Sequence, residues 1–307
     1  MIISASRRTD IPGFYSEWLL QRLKEGRVLV PNPWNPRRLG SIRLSPDHVD
    51  CIVFWTKNAA PMMEKLDAVD ALGYRYYFSF TVTPYGPDVE RHLPPKVRIM
   101  ETFRRLSERL GPERVDWRFD PVVVDGGHSL QWHLDRFGEM CGRLSGFTGR
   151  CIVNFIKSYP HLADRVREME TPLIRQTARG LAKIAAEYRL PLYNCTEKWN
   201  LRDLGIEFGA CIDRGKIERL LGGAVRARKD PGQPKICRCL ESVDIGMYNT
   251  CGHGCGYCYA VTGDEKLRRR MAEHDPASPM LTGRPDGTET VTDRTGPSLR
   301  DRQGRLF

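Results

Sequence analysis

The sequence has no apolar run long enough to cross a bilayer. CIVFW at 51–55 and VV at 122–123 fall far short of the roughly 18 residues a membrane helix needs. The start, MIISASRRTD, lacks the basic region followed by an apolar one that marks a secretory signal. No internal repeat and no heptads are present, so solenoids and coiled coils drop out. The 7 histidines contain no H-E-x-x-H or other close ligand spacing, which removes that type of zinc hydrolase. Over 307 residues, 40% are hydrophobic and 28% charged, a balance foreign to disordered tails, collagen-like fibres and small disulfide-stapled scaffolds. The expectation is a cytosolic protein, with no membrane association, built on one large α/β domain with short appendages.

Basic residues outnumber acidic ones by 48 to 38, a net charge of +10. That excess attracts anions without identifying any. The basic residues are dispersed, with small concentrations at Arg226, Arg228 and Lys229 and at Arg268, Arg269 and Arg270. A nucleic-acid partner is therefore permitted by charge but not indicated by a basic stripe with interleaved aromatics.

Strand and helix patterns alternate through the first two thirds. Strand candidates lie at 1–6, 51–57, 74–82, 115–124, 151–157 and 191–197. Between them, apolar residues recur at helical spacing at about 15–24, after Pro61, and at about 96–110, 128–144 and 173–188. Such a succession suits a parallel sheet with right-handed crossovers, curled into a full or partial TIM-like (β/α) barrel. After Cys211 the beat loosens into a short helix near 216–221, a cysteine-rich stretch, and a polar tail from about 262. The expected division is a body over 1–260 and a polar C-terminal extension over 261–307.

The C-terminal ends of barrel strands form the mouth where chemistry is done. Here those ends carry Arg7, Arg8 and Asp10, then Thr56 and Lys57, Ser79, Thr81 and Thr83, Arg118 and Asp120, Asn154 and Lys157, and Asn194, Thr196 and Glu197. Burying so many polar groups unpaired would cost several kcal/mol, so as a set they point to a ligand.

The 10 cysteines are unevenly placed. Cys51, Cys141 and Cys151 sit in or beside apolar segments and read as buried small side chains. The other seven, from Cys195 onward, read as metal or cluster ligands, because a reducing compartment disfavours a disulfide framework. The sharpest motif is NTCGHGCGYCYA at 249–260, where Cys251, Cys255 and Cys258 are spaced C-x3-C-x2-C. Three thiolates on one glycine-rich turn can hold a cubane cluster and leave one iron open. A zinc knuckle that borrows His253 or a remote cysteine is the alternative. Cys237 and Cys239 form a C-x-C pair just upstream, and with Cys195 and Cys211 they make four ligands, enough for a second iron–sulfur cluster or a zinc ion.

Cys251, Cys255, Tyr257, Cys258, Tyr259 and Ala260 resemble the signature of the radical S-adenosylmethionine superfamily, in the CxHxCxYCYA form of relatives of spore photoproduct lyase. SASRRTDIP, DCIVFWTKN, WRFDP and CRCLESVDIGMYNTC are similar to segments of the family DUF1848. The resemblance implies that Cys251, Cys255 and Cys258 hold a [4Fe-4S] cluster, that its open iron chelates S-adenosylmethionine, and that Tyr257 packs near the adenine. In that superfamily the signature follows the first barrel strand, whereas here it comes some 250 residues along. The resemblance thus implies a circularly permuted barrel, with segment 242–260 in the first position and the strands at 1–6, 51–57, 74–82, 115–124 and 151–157 in the second to sixth. The glycine-rich turn that receives the cofactor's amino group is replaced by SASRRTD, which leaves Ser6, Thr9 and Asp10 as candidate cofactor contacts. Arg118 or Asp120 could reach its carboxylate or ribose.

The resemblance further implies a radical that takes hydrogen from substrate, and a one-electron reductant such as flavodoxin or ferredoxin. Lys57, Arg118 and Lys157 would suit an anionic or nucleotide-like substrate. Asp120 or Glu197 would manage protons, and Tyr159 or Cys195 would return a hydrogen atom. A nucleic-acid repair or modifying enzyme of the same superfamily, and a zinc-stabilised binding protein without catalysis, are the competing expectations.

Overall fold

A computed structural model of the chain describes residues 1–164, 166–195 and 198–300. Its strands are β1 (Ile2–Ala5), β2 (Arg27–Pro31), β3 (Arg38–Arg43), β4 (Cys51–Thr56), β5 (Tyr76–Thr81), β6 (Val115–Val122), β7 (Cys151–Phe155), β8 (Leu192–Asn194), β9 (Ile206–Phe208), β10 (Val243–Asp244) and β11 (Thr290–Asp293). The helices are α1 (Ile11–Phe14), α2 (Ser16–Glu25), α3 (Ala60–Met63), α4 (Leu66–Ala71), α5 (Lys96–Leu110), α6 (Leu130–Leu144), α7 (Thr171–Glu187), α8 (Arg214–Leu221) and α9 (Asp264–Ala272).

Eight strands form one sheet in the order β10-β1-β4-β5-β6-β7-β8-β9. Every neighbouring pair in it is parallel. The fold is therefore α/β on a parallel sheet. β10, late in sequence, lies beside β1, with Ile3 opposite Val243. That is the place expected of the segment that leads into the cysteine motif. No ladder joins β9 to β10 among the described residues.

Alternation along each strand splits its side chains between two faces. One face carries Ile52, Phe54, Tyr76, Phe78, Phe80, Trp117, Phe119 and Val153, which pack against Leu19, Met62, Phe103, Phe137, Ile174 and Leu181 of the helices. The other face begins apolar, with Ile2, Cys51, Val53, Tyr77 and Ile152 meeting Ile217, Val225, Ala227 and Leu240. Further along the same strands it turns polar. On β6 the sequence DWRFD puts Asp116, Arg118 and Asp120 on this side and Trp117 and Phe119 on the helix side. β6 and β7 keep register to Phe119 and slip before Val122, where Pro121 offers no ladder donor.

The structure adds elements that periodicity did not announce. β2 and β3 form an antiparallel hairpin, and β11 joins β3 in parallel to complete a three-stranded sheet. The helix expected after Pro61 is two short ones, α3 and α4. The stretch after 260 contains α9 as well as β11, and Trp18 Nε1 donates to the Ser278 carbonyl at 3.0 Å. Cys51, Cys141 and Cys151 are buried, as expected. Among the described residues no helix is long and apolar enough to cross a membrane.

Candidate functional site

β10 ends at Asp244, and the chain then turns through the cysteine loop against two other segments. The backbone N–H of Gly256 donates to the Val89 carbonyl at 2.8 Å, and that of His92 to the His253 carbonyl at 3.0 Å. Glu90 pairs with Cys255 in an antiparallel bridge. Gly254 sits at φ +66°, and a Cβ there would stand 2.8 Å from the His92 ring. Only glycine allows both the left-handed turn and this close approach.

Asp10 holds the loop from the other side. One carboxylate oxygen accepts from His253 Nε2 at 2.7 Å, from the Lys57 backbone N–H at 2.7 Å and from Thr56 Oγ1 at 3.0 Å. The other accepts from the Gly13 backbone N–H at 2.8 Å, capping α1. The carboxylate expected to touch a cofactor thus ties β1, β4 and the cysteine loop together. His253, so held, is committed to the loop's own structure. Ser6 is committed in a similar way, donating to Asp244 and accepting from the Arg8 N–H at 3.0 Å. Asp244 also accepts from Ser4 Oγ and the Arg7 backbone N–H.

One cavity of about 1100 Å³ opens at the C-terminal ends of the strands. It brings together Cys251, Cys255, Tyr257 and Cys258, the polar groups Ser6, Thr9 and Asp10, and Lys57, Arg118, Asp120 and Lys157. Cys195, Cys211, Cys237 and Cys239 line it too. Glu197 lies outside the described residues. Lys157 makes no ion pair among them.

Arg118 is tightly engaged. Its Nη1 donates to the Cys211 sulfur at 2.6 Å, its Nη2 pairs with Asp120, and its guanidinium lies 5.3 Å over the Trp55 ring. Arg7 covers the same ring at 5.2 Å. Asn154 Nδ2 donates to Asp120 at 3.1 Å.

Glu90, unmarked by any sequence pattern, is the centre of the other side. Its side chain is fully buried, accepts from Lys57 Nζ and Thr83 Oγ1 at 2.7 Å each, and is bonded also by Lys96 and the Tyr257 hydroxyl. Burial alone would raise this carboxyl, but the two ammonium groups pull it down to about 2. Sharing one carboxylate divides the cations. Burial opposes the Lys57 charge, yet Glu90 and Cys255 lift Lys57 above its ordinary value, whereas burial keeps Lys96 below its own.

The donor chemistry suits a bound cluster. Burial raises the thiols of Cys251, Cys255 and Cys258, Cys255 to about 12, so their ionisation would follow a bound cation. Thr9 Oγ1, Arg7 Nη2 and His253 Nδ1 are buried without a partner among the described residues, a surplus of polar atoms at the cavity. Among those residues no three His, Cys, Asp or Glu side chains already stand as an ion-holding set.

The model for the domain of unknown function DUF1848 matches residues 2–260. The chain belongs to this family. The DUF1848 region takes in both cysteine groups and ends on Ala260, the last residue of the signature. β11 lies beyond it. No curated protein matches the chain. Among solved structures, a putative alpha-L-fucosidase from Bacteroides thetaiotaomicron is similar at 11% identity, over 58% of this chain and 73% of that one, with a TM-score of 0.28. That likeness is too distant to bear on fold or chemistry.

Proposed function

We propose that this chain is a radical S-adenosylmethionine enzyme on a circularly permuted (β/α) barrel, acting on an anionic or nucleotide-like substrate. One observation carries the reading. The C-x3-C-x2-C loop follows a strand that pairs with β1, and its cysteines open onto the large cavity at the strands' C-terminal ends. The resemblance of the signature and the order of the strands therefore agree.

When bound, a reduced [4Fe-4S] cluster and S-adenosylmethionine supply a 5′-deoxyadenosyl radical able to take hydrogen from substrate. Cys251, Cys255 and Cys258 would hold the cluster. Tyr257, oriented by Glu90, would flank the adenine, and Thr9, whose hydroxyl has no partner among the described residues, is the most available of the polar contacts on the SASRRTD turn. Lys157, without an ion pair among the described residues, is more open to an anionic substrate than Lys57 or Arg118. Arg118 and Lys57 are held by Asp120 and Glu90 and would set the field of the cavity. A small flavodoxin- or ferredoxin-like protein would deliver the electron.

The test is anaerobic reconstitution with iron and sulfide, then dithionite reduction with S-adenosylmethionine. About four or more irons per chain and release of 5′-deoxyadenosine are expected, with release abolished in Cys258→Ala. Zinc in place of iron, with S-adenosylmethionine untouched, would replace the enzyme with a thiolate-stabilised binding protein.

A further inference from the structure

The four late cysteines outside the signature come from three separate segments. Cys195 follows β8, Cys211 follows β9, and Cys237 and Cys239 lie on the stretch that leads to β10. Their side chains nevertheless gather in one cluster, Cys211 and Cys239 buried in it and Cys195 and Cys237 packed against it. None is in a disulfide. All four face the cavity.

Their surroundings are those of ligands rather than of idle core thiols. An idle buried thiol needs only apolar neighbours. Here the Arg118 guanidinium donates to the Cys211 sulfur at 2.6 Å, and the Ile212 backbone N–H donates to the Cys239 sulfur at 3.4 Å. Arg7 stands close enough to interact with both Cys211 and Cys239, and one of its buried nitrogens has no partner among the described residues. Asp120 pairs with Arg118 and Asp230 with Arg7 on one side of these guanidiniums, and thiolates around an inorganic core would meet them on the other.

We propose that Cys195, Cys211, Cys237 and Cys239 ligate a second iron–sulfur cluster, on the β8–β9 side of the cavity. An iron–sulfur centre fits better than zinc because structural zinc sites are closed. This set opens onto the same cavity as the signature cysteines, with hydrogen-bond donors directed at its sulfurs, the means by which proteins tune such clusters. The second centre shares a cavity with the proposed radical site but none of its ligands, so either can fail without the other.

The experiment uses the full chain and two variants, one with Cys251, Cys255 and Cys258 changed to Ala and one with Cys195, Cys211, Cys237 and Cys239 changed to Ala. Each is reconstituted anaerobically with iron and sulfide. Iron, sulfide and zinc are counted, and reduced samples are read by electron paramagnetic resonance. The triple variant should keep about half of the wild-type iron and an iron–sulfur resonance, because the second set of ligands is intact. The quadruple variant should lose that share. The triple variant decides the matter even where the quadruple one does not fold. A triple variant that is folded by circular dichroism yet holds no iron, or holds zinc instead, overturns the proposal. Iron in wild type without release of 5′-deoxyadenosine, retained in the triple variant, would uphold the second cluster and sink the radical function alone.

Discussion

Glu90 shows how one residue can join the two halves of a site. Its backbone pairs with Cys255 and its carboxylate gathers Lys57, Lys96, Thr83 and Tyr257. The ammonium groups outweigh burial, so the folded carboxyl lies near 2 against an ordinary 4.5. A depressed carboxylate stabilises the fold fully above its ordinary value, and that contribution disappears as the pH falls from about 4.5 toward about 2. It amounts to on the order of 3 kcal/mol at neutral pH. Glu90→Gln should therefore lower the urea midpoint at pH 7 and flatten the acid limb of the stability curve. An unchanged acid limb would show that Glu90 is not the group that titrates. A lone glutamate in PYGPDVERHLP has no periodicity or spacing to mark it, because its importance comes from partners 6 to 167 residues away. The roles of Asp10 and Ser6 were hidden for the same reason. Their position at a strand end was legible, but their hydrogen bonds to the chain itself were not.

Among elements, α8 is fastened beneath the cavity by a buried ionic cluster. Asp116 on β6 accepts from Arg150 Nε at 2.9 Å and Nη2 at 2.8 Å, and from Lys216 Nζ of α8 at 2.7 Å. Arg150 also reaches the Ala210 carbonyl at 3.1 Å, so one carboxylate links β6, the start of β7 and the segment that carries Cys211. Burial opposes this charge, but Arg150 and Lys216 still hold the Asp116 carboxyl below its ordinary value. Removing it strands two buried cations. Asp116→Ala should cost about 3 to 5 kcal/mol, read as a lower urea midpoint with an unchanged slope. A loss below 1 kcal/mol would mean that α8 is held by its apolar contacts. The elements that the sequence made legible are those with a strong period or a marked apolar run: β1, β4 to β7, α2, α5, α6, α7 and α8. The hairpin of β2 and β3 was not, since RVLVP and RLGSIR are broken by Pro, Gly and Arg, and β3 takes its second partner, β11, from the far end of the chain. β8 and β9 have only three residues each, too few for any periodicity; β8 was legible as the unit after the long α7, whereas no α-helix lies between β8 and β9 to mark the latter.

For the molecule as a whole, strand order and chain order are different things, and the site follows the first. β10 occupies the edge beside β1 although 240 residues separate the paired Ser4 and Asp244. The late position of the cysteine motif in the sequence leads to the expectation of a strand beside β1, and β10 pairs there in parallel. The convergence of the four other cysteines was legible only as a count, since it depends on how β8, β9 and the 237–239 stretch fold toward one cavity. If spatial order alone builds the site, the backbone can be opened elsewhere without loss. The turn at Gly222 and Gly223 is exposed, lies after α8, and precedes every residue of the C-x-C pair and the signature. Met1 and Pro297 are adjacent, with the Met1 amino group 2.9 Å from the Pro297 carbonyl, so a flexible linker can join the segment after Pro297 to Met1. A permutant that begins at Gly223 places β10 and the cysteine loop ahead of β1 in sequence. It should fold with the wild-type circular dichroism spectrum and take up the same iron after reconstitution. A permutant that folds but loses iron would mean that the continuous connection from α8 to Cys237 is itself needed to set the cysteines.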